Sequence, residues 1–100
     1  MRLIQQKEAI EEIRALKKEL KAERAILFGS VARGQQHEYS DIDVIFIVDT
    51  QERFVRRIGT VLNMYSGHLP IEPIVYTPEE FASMRRKIGM REMLRGAVEI

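Results

Sequence analysis

One unbroken apolar run, Val44 to Val48, limits most strongly the folds that this chain can adopt. Its residues are all β-branched or aromatic, which favours a strand, and the run is too short to cross a bilayer. A strand without polar alternation is buried on both of its faces, as strands at the centre of a sheet are. The sequence therefore predicts a central strand from about Asp41 to Val48.

The flanking segments show helix and strand patterns in turn. Apolar residues at steps of three and four predict an amphipathic helix from about Leu3 to Ala22 and a second helix from about Thr50 to Tyr65. Short apolar runs predict strands at 25–28 and 71–76. The second helix then joins the central strand to the strand at 71–76 as a right-handed parallel crossover. Pro73 cannot donate a ladder hydrogen bond, so part of the last strand is expected to face an edge.

The C-terminal quarter begins with a clear helix start. Thr77 is suited to the N-cap, Pro78 to the first helical position, and two glutamates follow in the first turn. This helix is predicted to continue to about Lys87, followed by a weaker helix and a terminal strand at 98–100. The chain is therefore expected to form a single α/β domain over residues 1–100.

Composition excludes several classes of function. Apolar residues make up 45% and charged residues 31% of the 100 residues, a globular balance. The formal net charge of +1 argues against general nucleic-acid binding, which needs a large cationic surface. The absence of cysteine excludes disulfides and thiolate metal sites. Because the N-terminus shows no export pattern, we expect a cytoplasmic location and no membrane association.

The basic stretch from Arg85 to Arg95 is the one strong local charge imbalance. It holds four arginines and one lysine against a single glutamate, Glu92. A solvated helical face explains such a run more simply than a contact with a partner or with RNA. Both interpretations stay open at the level of sequence.

Two short motifs carry the chemistry: Gly29-Ser30, at the end of the strand at 25–28, and Ser40-Asp41-Ile42-Asp43, at the start of the central strand. Asp41 and Asp43 are two residues apart, so they project from one face of the strand with Cβ atoms roughly 6–7 Å apart. Two unpaired carboxylates at that distance repel each other. A Mg²⁺ ion, which prefers carboxylate oxygens completed by substrate phosphates, would remove that repulsion.

The glycine-serine turn supplies a second half to this site. Gly29 permits close backbone approach, and a helical turn after it would direct free N–H groups at an anion. The Ser30 hydroxyl can donate to a phosphate. Arg33 either contacts a phosphate or caps the turn. The chain has no Gly-Lys-Ser/Thr sequence, so the P-loop mode of phosphate binding is excluded.

Together the Gly-Ser turn, the Ser-Asp-x-Asp pair and a later acidic strand resemble the DNA polymerase beta-like nucleotidyltransferase superfamily. The resemblance covers about Ala25 to Glu80, and the short chain is similar to the minimal nucleotidyltransferases that act as antitoxins of HEPN toxins. It implies a small mixed β-sheet flanked by helices, with three catalytic, metal-binding carboxylates at one end. It also implies a nucleotide site that includes Gly29, Ser30, Arg33 and Ser40.

The third carboxylate of the family pattern is usually an aspartate, whereas this chain has Glu72 at the matching position. Glutamate is one methylene longer, and the adjacent Pro73 alters the strand locally. Glu72 is therefore either the third metal ligand and general base or an exposed acid on an edge strand, with binding retained and catalysis weakened. Glu38, in the loop before the aspartate pair, is an alternative acid.

The resemblance also implies the reaction and its partners. Two Mg²⁺ ions and ATP are expected, with AMP transferred to a hydroxyl of a HEPN-type toxin. Alternatives are a non-catalytic antitoxin that occludes its partner, and a homodimeric transferase acting on a small molecule. Six residues are candidates for the apolar surface that a partner would contact: Phe54, Val55, Met64, Met84, Met90 and Met93.

Overall fold

The computed structural model describes residues 3–100. This part of the chain contains five helices and four strands. No helix in this range is long and apolar enough to span a membrane. In chain order the elements are α1 (Gln6–Leu20), β1 (Arg24–Phe28), α2 (Gly29–Ala32), β2 (Ile42–Ile47), α3 (Phe54–Met64), β3 (Ile71–Tyr76), α4 (Pro78–Met84), α5 (Ile88–Met93) and β4 (Val98–Glu99).

The strands form one mixed sheet in the order β3-β2-β1-β4. Strand β1 pairs antiparallel with both β2 and β4, while β2 and β3 are parallel. The predicted interior position of the apolar strand and its parallel crossover to β3 are both confirmed. Pro73 lies on β3, an edge strand, where a missing N–H donor costs no ladder hydrogen bond on the open side. The expected α/β fold with a mixed sheet flanked by helices is confirmed.

The apolar run in β2 is explained by the two layers that cover the sheet. Val44 and Phe46 belong to a core with α1 and α3, which includes Ile13 and Val61. Residues on the opposite face of the same strand belong to a second core with α4 and α5: Ile45, Ile47, Phe81 and Met90. Each fully buried side chain of this kind contributes about 1.5–3 kcal/mol, so burial on both faces fixes β2 in the interior.

Several helices are shorter than their sequence patterns. Helix α1 spans 6–20 instead of 3–22, and Lys21 ends it in the left-handed conformation, with φ of 54°. Helix α3 begins at Phe54 because Thr50 and Glu52 form a turn before it, in which the Glu52 N–H donates to Thr50 Oγ1. Helix α4 begins as predicted, with a capping box between Thr77 and Glu80, but it ends at Met84.

A buried arginine connects the layers at the end of the sheet where β3 stops. Arg57, on α3, donates to the Val75 carbonyl at 3.1 Å and to Glu80 Oε1 at 2.6 Å. Its Nε also donates to the Glu52 carbonyl at 2.9 Å. The apolar periodicity of this helix in the sequence gives no sign of a buried arginine. The structure shows instead that it joins α3, β3 and α4.

Candidate active site

The predicted carboxylates converge at the end of the sheet where β1 stops and β2 and β3 begin. Asp43 lies opposite Phe28 on one side and opposite Glu72 on the other. Residues paired on neighbouring strands project from the same face about 5 Å apart, so the Asp43 and Glu72 carboxyls are side by side. Asp41 comes immediately before β2. Pro73 does not disturb this pairing, because the β2–β3 register continues through it to Tyr76.

Crowding of like charges shifts the titration of two of these groups. Hydrogen bonding with the Asp43 carboxylate raises the pKa of Glu72, and the negative charge of Asp41 raises it further. Burial raises the pKa of Asp43, and the charge of Asp41 adds to this, against the opposing effects of Glu72 and of the Arg33 cation. Three acids are therefore crowded at one site, which a bound cation would stabilise.

Gly29 is required at this site by its contact with Asp43. Its φ of +77° lies in the left-handed region that favours glycine. A Cβ atom at this position would overlap Asp43 Oδ2 and lie only 3.2 Å from Asp43 Cγ. The sequence indicated a close backbone approach here. The structure shows that the approach is made to the Asp43 carboxylate, against which the turn packs.

The two site serines fix the loop between α2 and β2. Ser30 Oγ and Ser40 Oγ are hydrogen-bonded at 2.9 Å, and the His37 N–H donates to Ser40 Oγ at 2.9 Å. The Ser40 N–H donates in turn to the His37 carbonyl. Ser40 is buried, so this network sets the path of the chain into Asp41. The nucleotide contacts expected of both serines remain predictions.

Arg33 brings a positive charge to the carboxylates. It is exposed, its charge lowers the pKa of Asp43, and its Nε donates to Gln35 Oε1 at 3.2 Å. Its aliphatic portion packs on Gly96, where a Cβ would lie 2.9 Å from Arg33 Cγ. Sequence reasoning missed Gly96, although a glycine between the last helix and the terminal strand was the available signal. Glu38 is exposed and is not among the groups that shift the carboxyl pKa values.

The donor set fits Mg²⁺ that is bound together with a phosphate ligand. Within residues 3–100, no three His, Cys, Asp or Glu side chains form a ready cage for a metal ion. The site nevertheless offers hard carboxylate oxygens that repel one another in the absence of a cation. Mg²⁺ usually takes one or two protein carboxylates and completes its shell with water and substrate phosphates. Asp41, Asp43 and Glu72 offer the one or two carboxylates that this mode requires.

Comparison with known proteins agrees with this geometry. A family model described as "Nucleotidyltransferase domain" matches residues 7–95. A Methanocaldococcus jannaschii protein named "Putative protein adenylyltransferase" is 37% identical over 79 residues, which covers 69% of this chain and 80% of the relative. The crystal structure of a protein described as "a putative nucleotidyltransferase" from Sulfolobus solfataricus has the same fold, with a TM-score of 0.59. That likeness covers 94% of this chain and 77% of the other, at 23% identity. The chain therefore belongs to the nucleotidyltransferase domain family and is a transferase.

Proposed function

We propose that this nucleotidyltransferase transfers AMP from ATP to a hydroxyl group of another protein, in a reaction that depends on Mg²⁺. The observation that carries the proposal is the convergence of Asp41, Asp43 and Glu72 at one end of the sheet, directly beside the Gly29 turn. The name of the M. jannaschii relative, a protein adenylyltransferase, supports both the AMP group and the protein acceptor.

The acceptor oxygen attacks the α-phosphorus of ATP, and the bond from this phosphorus to the bridging oxygen of the leaving pyrophosphate breaks in line. The acceptor hydroxyl loses its proton, which Glu72 takes as general base. Glu72 lies beside Asp43 and is exposed, so its carboxylate is open to an incoming hydroxyl. Its unbroken register with Asp43 supports this catalytic role over that of a displaced edge-strand acid.

Asp41, Asp43 and Glu72 are the residues that would hold Mg²⁺. When bound, Mg²⁺ neutralises charge on the triphosphate and lowers the pKa of the acceptor hydroxyl. Gly29 leaves backbone space beside Asp43, and Ser30 follows it with a hydroxyl that faces the same loop. We assign the β- and γ-phosphates to this turn, with Arg33 as the exposed cation beside them.

A HEPN-type toxin is the proposed acceptor, with this chain as its antitoxin. Support comes from an exposed apolar face on α3, where Phe54 is 47% and Val55 77% exposed. Exposed apolar patches on this scale mark sites of protein association. Of the six candidate interface residues, Met90 is buried in the core, and Met84 and Met93 pack against it. The exposed apolar face consists of Phe54, Val55, Ile58 and Leu62, while Met64 is exposed at the end of α3.

The test is transfer of label from α-³²P-ATP, with Mg²⁺, to a copurified partner protein. Wild type should label the partner, and Asp41→Asn/Asp43→Asn should lose the signal by about a thousandfold or more, because both anionic ligands become neutral amides. The double variant should still bind the partner, since neither residue lies on α3. A stable complex that binds ATP but carries no label would contradict catalysis and favour a non-catalytic antitoxin that occludes its partner. Label on a small molecule alone would favour the homodimeric transferase.

A further inference from the structure

A concave site lined by three arginines lies where α4 turns into α5. Its walls are Ala82, Arg85, Arg86 and Arg91, and its volume is about 580 Å³. None of these residues belongs to the carboxylate site described above. We refer to these four residues as the arginine groove.

The positive charge of the arginine groove is largely uncompensated. Within residues 3–100, Arg86 and Arg91 have no hydrogen-bonded or ion-paired acid. The nearby Glu92 pairs with Arg95 at 3.0 Å, outside the groove. Arg85 stacks over Phe81 at 5.8 Å and is a minor contributor to the lowered pKa of Glu99. Guanidinium groups gathered around one open space repel each other, and an anion in that space would relieve the repulsion.

The groove lies on the same side of the sheet as the carboxylates but farther along it. Phe81, under Arg85, packs beside Tyr76, which pairs with Ile47 on β2. Ile47 is four residues beyond Asp43, a separation of about 13 Å along the strand. The groove therefore lies over the face of the sheet that carries the carboxylates, toward the end where β3 stops.

The lining favours an acidic peptide over RNA. Planar guanidinium groups bind carboxylates through paired hydrogen bonds, and Ile88, which is 79% exposed, lies one helical turn from Arg91 and offers an apolar contact. Single-stranded RNA is usually held by bases stacked on exposed aromatic rings, and in the described part of the chain no aromatic residue lines the groove. The net charge of +1 also gives a small cationic footprint.

From these observations we infer that the arginine groove binds an acidic segment of the acceptor protein, with Asp or Glu carboxylates on Arg86 and Arg91. This inference rests on the proposed function, since it assumes a protein acceptor. The groove would then select acceptors by charge and hold the hydroxyl near Glu72.

Direct binding tests the groove without ATP. The probe is a fluorescein-labelled peptide of alternating glutamate and serine with one leucine, titrated with the full chain and followed by fluorescence anisotropy. Arg86→Ala/Arg91→Ala should weaken binding about tenfold or more, because two charge-assisted contacts are lost. Arg53→Ala/Arg56→Ala removes the same charge from exposed positions near the start of α3 and should change the affinity by less than about twofold. Equal weakening by both variants, or tighter binding to a length-matched oligouridylate, would overturn the proposal.

A second variant separates this inference from the proposed function. Asp41→Asn/Asp43→Asn should bind the acidic peptide at least as tightly as wild type, because the groove is intact and two nearby anions are gone. Loss of peptide binding in that variant would place the acidic segment elsewhere and contradict the groove. If the wild-type groove binds the peptide but no protein acceptor is ever labelled, the proposed function alone fails.

Discussion

The two ends of the sheet differ in how their acidic side chains are paired. At the end where β1 begins and β3 stops, which we call the paired end, acids meet cations. Arg57 binds Glu80 at 2.6 Å, and Arg24 binds Glu99 through two contacts of 2.6 and 2.7 Å. Both interactions lower the pKa of the acid, Glu80 chiefly through Arg57 and Glu99 chiefly through Arg24. These acids are ionised and satisfied within the fold.

At the opposite end, which we call the carboxylate end, the acidic side chains lie next to other acidic side chains. Hydrogen bonding with Asp43 raises the pKa of Glu72, and burial raises that of Asp43, with Asp41 adding to both shifts. Arg33 is the cation that acts against the shift of Asp43, and it is exposed. The same small sheet therefore gains stability from charge at one end and loses it at the other. Residues that are costly to the free fold in this way are typical of sites that complete themselves with a ligand.

Replacing Gly29 by alanine is expected to have the largest effect at the carboxylate end. Gly29→Ala should lower kcat/KM for adenylyl transfer by about a hundredfold, because the new methyl group displaces Asp43. It should also cost about 2–3 kcal/mol of stability through the strained φ and the overlap.

Gly34→Ala is the matched control for this change. Gly34 has a similar φ of +69°, but among residues 3–100 nothing lies within 4 Å of a Cβ built there. This variant should lose about 1 kcal/mol in urea unfolding and keep most of its activity. Equal loss of transfer in the two variants would show that backbone strain, not contact with Asp43, makes glycine necessary at position 29.

Breaking the Arg57–Glu80 ion pair at the paired end should lower the stability of the fold and leave transferase activity unchanged. Arg57→Met leaves Glu80 without its cation and frees the Val75 carbonyl. Losing one partner of a fully buried pair costs about 3–5 kcal/mol, but the Glu80 side chain is 41% exposed and can be rehydrated, so we expect about 2 kcal/mol. Urea unfolding measures this loss. Arg56→Met, at an exposed position, is the control and should change stability by less than about 0.5 kcal/mol.

Local patterns in the sequence predicted the elements that depend on neighbouring residues. The continuous apolar run indicated an interior strand, and the N-cap predicted at Thr77 is confirmed, because capping needs only residues three apart. The side-by-side placement of Asp43 and Glu72 follows from the parallel crossover between β2 and β3, which the helix between them predicted. The common face of Asp41 and Asp43 could also be predicted, because it depends only on two residues that are close together in the sequence.

Features that depend on distant residues were not accessible. A terminal strand was predicted, but its pairing with β1 joins residues more than 70 positions apart, and no pattern specifies that partner. Arg57 is a buried cation, and sequence patterns place arginines on solvated faces unless an acid partner is known. The Ser30–Ser40 hydrogen bond and the packing of Arg33 on Gly96 likewise depend on the folded path of loops.

The two ends should also respond oppositely to pH, which is the smallest effect we predict. Glu80 and Glu99 have lowered pKa values, so their stabilising contribution is present at neutral pH and is lost as pH falls below their ordinary value of 4.5. Asp43 and Glu72 have raised pKa values, so their contribution is present only at low pH and is lost as pH rises through the raised values.

Asp43→Asn/Glu72→Gln removes the second contribution while keeping side-chain shape. Without Mg²⁺, this variant should melt a few degrees above wild type at neutral pH, and the difference should shrink on acidification as both acids of the wild type take up protons. Glu80→Gln should show the reverse, with a lower Tm at neutral pH and a gap that closes on acidification. Calorimetry across this pH range checks both. A carboxylate-end variant that melts below wild type at neutral pH would mean that the acids stabilise the free fold, and the contrast between the two ends would then be lost.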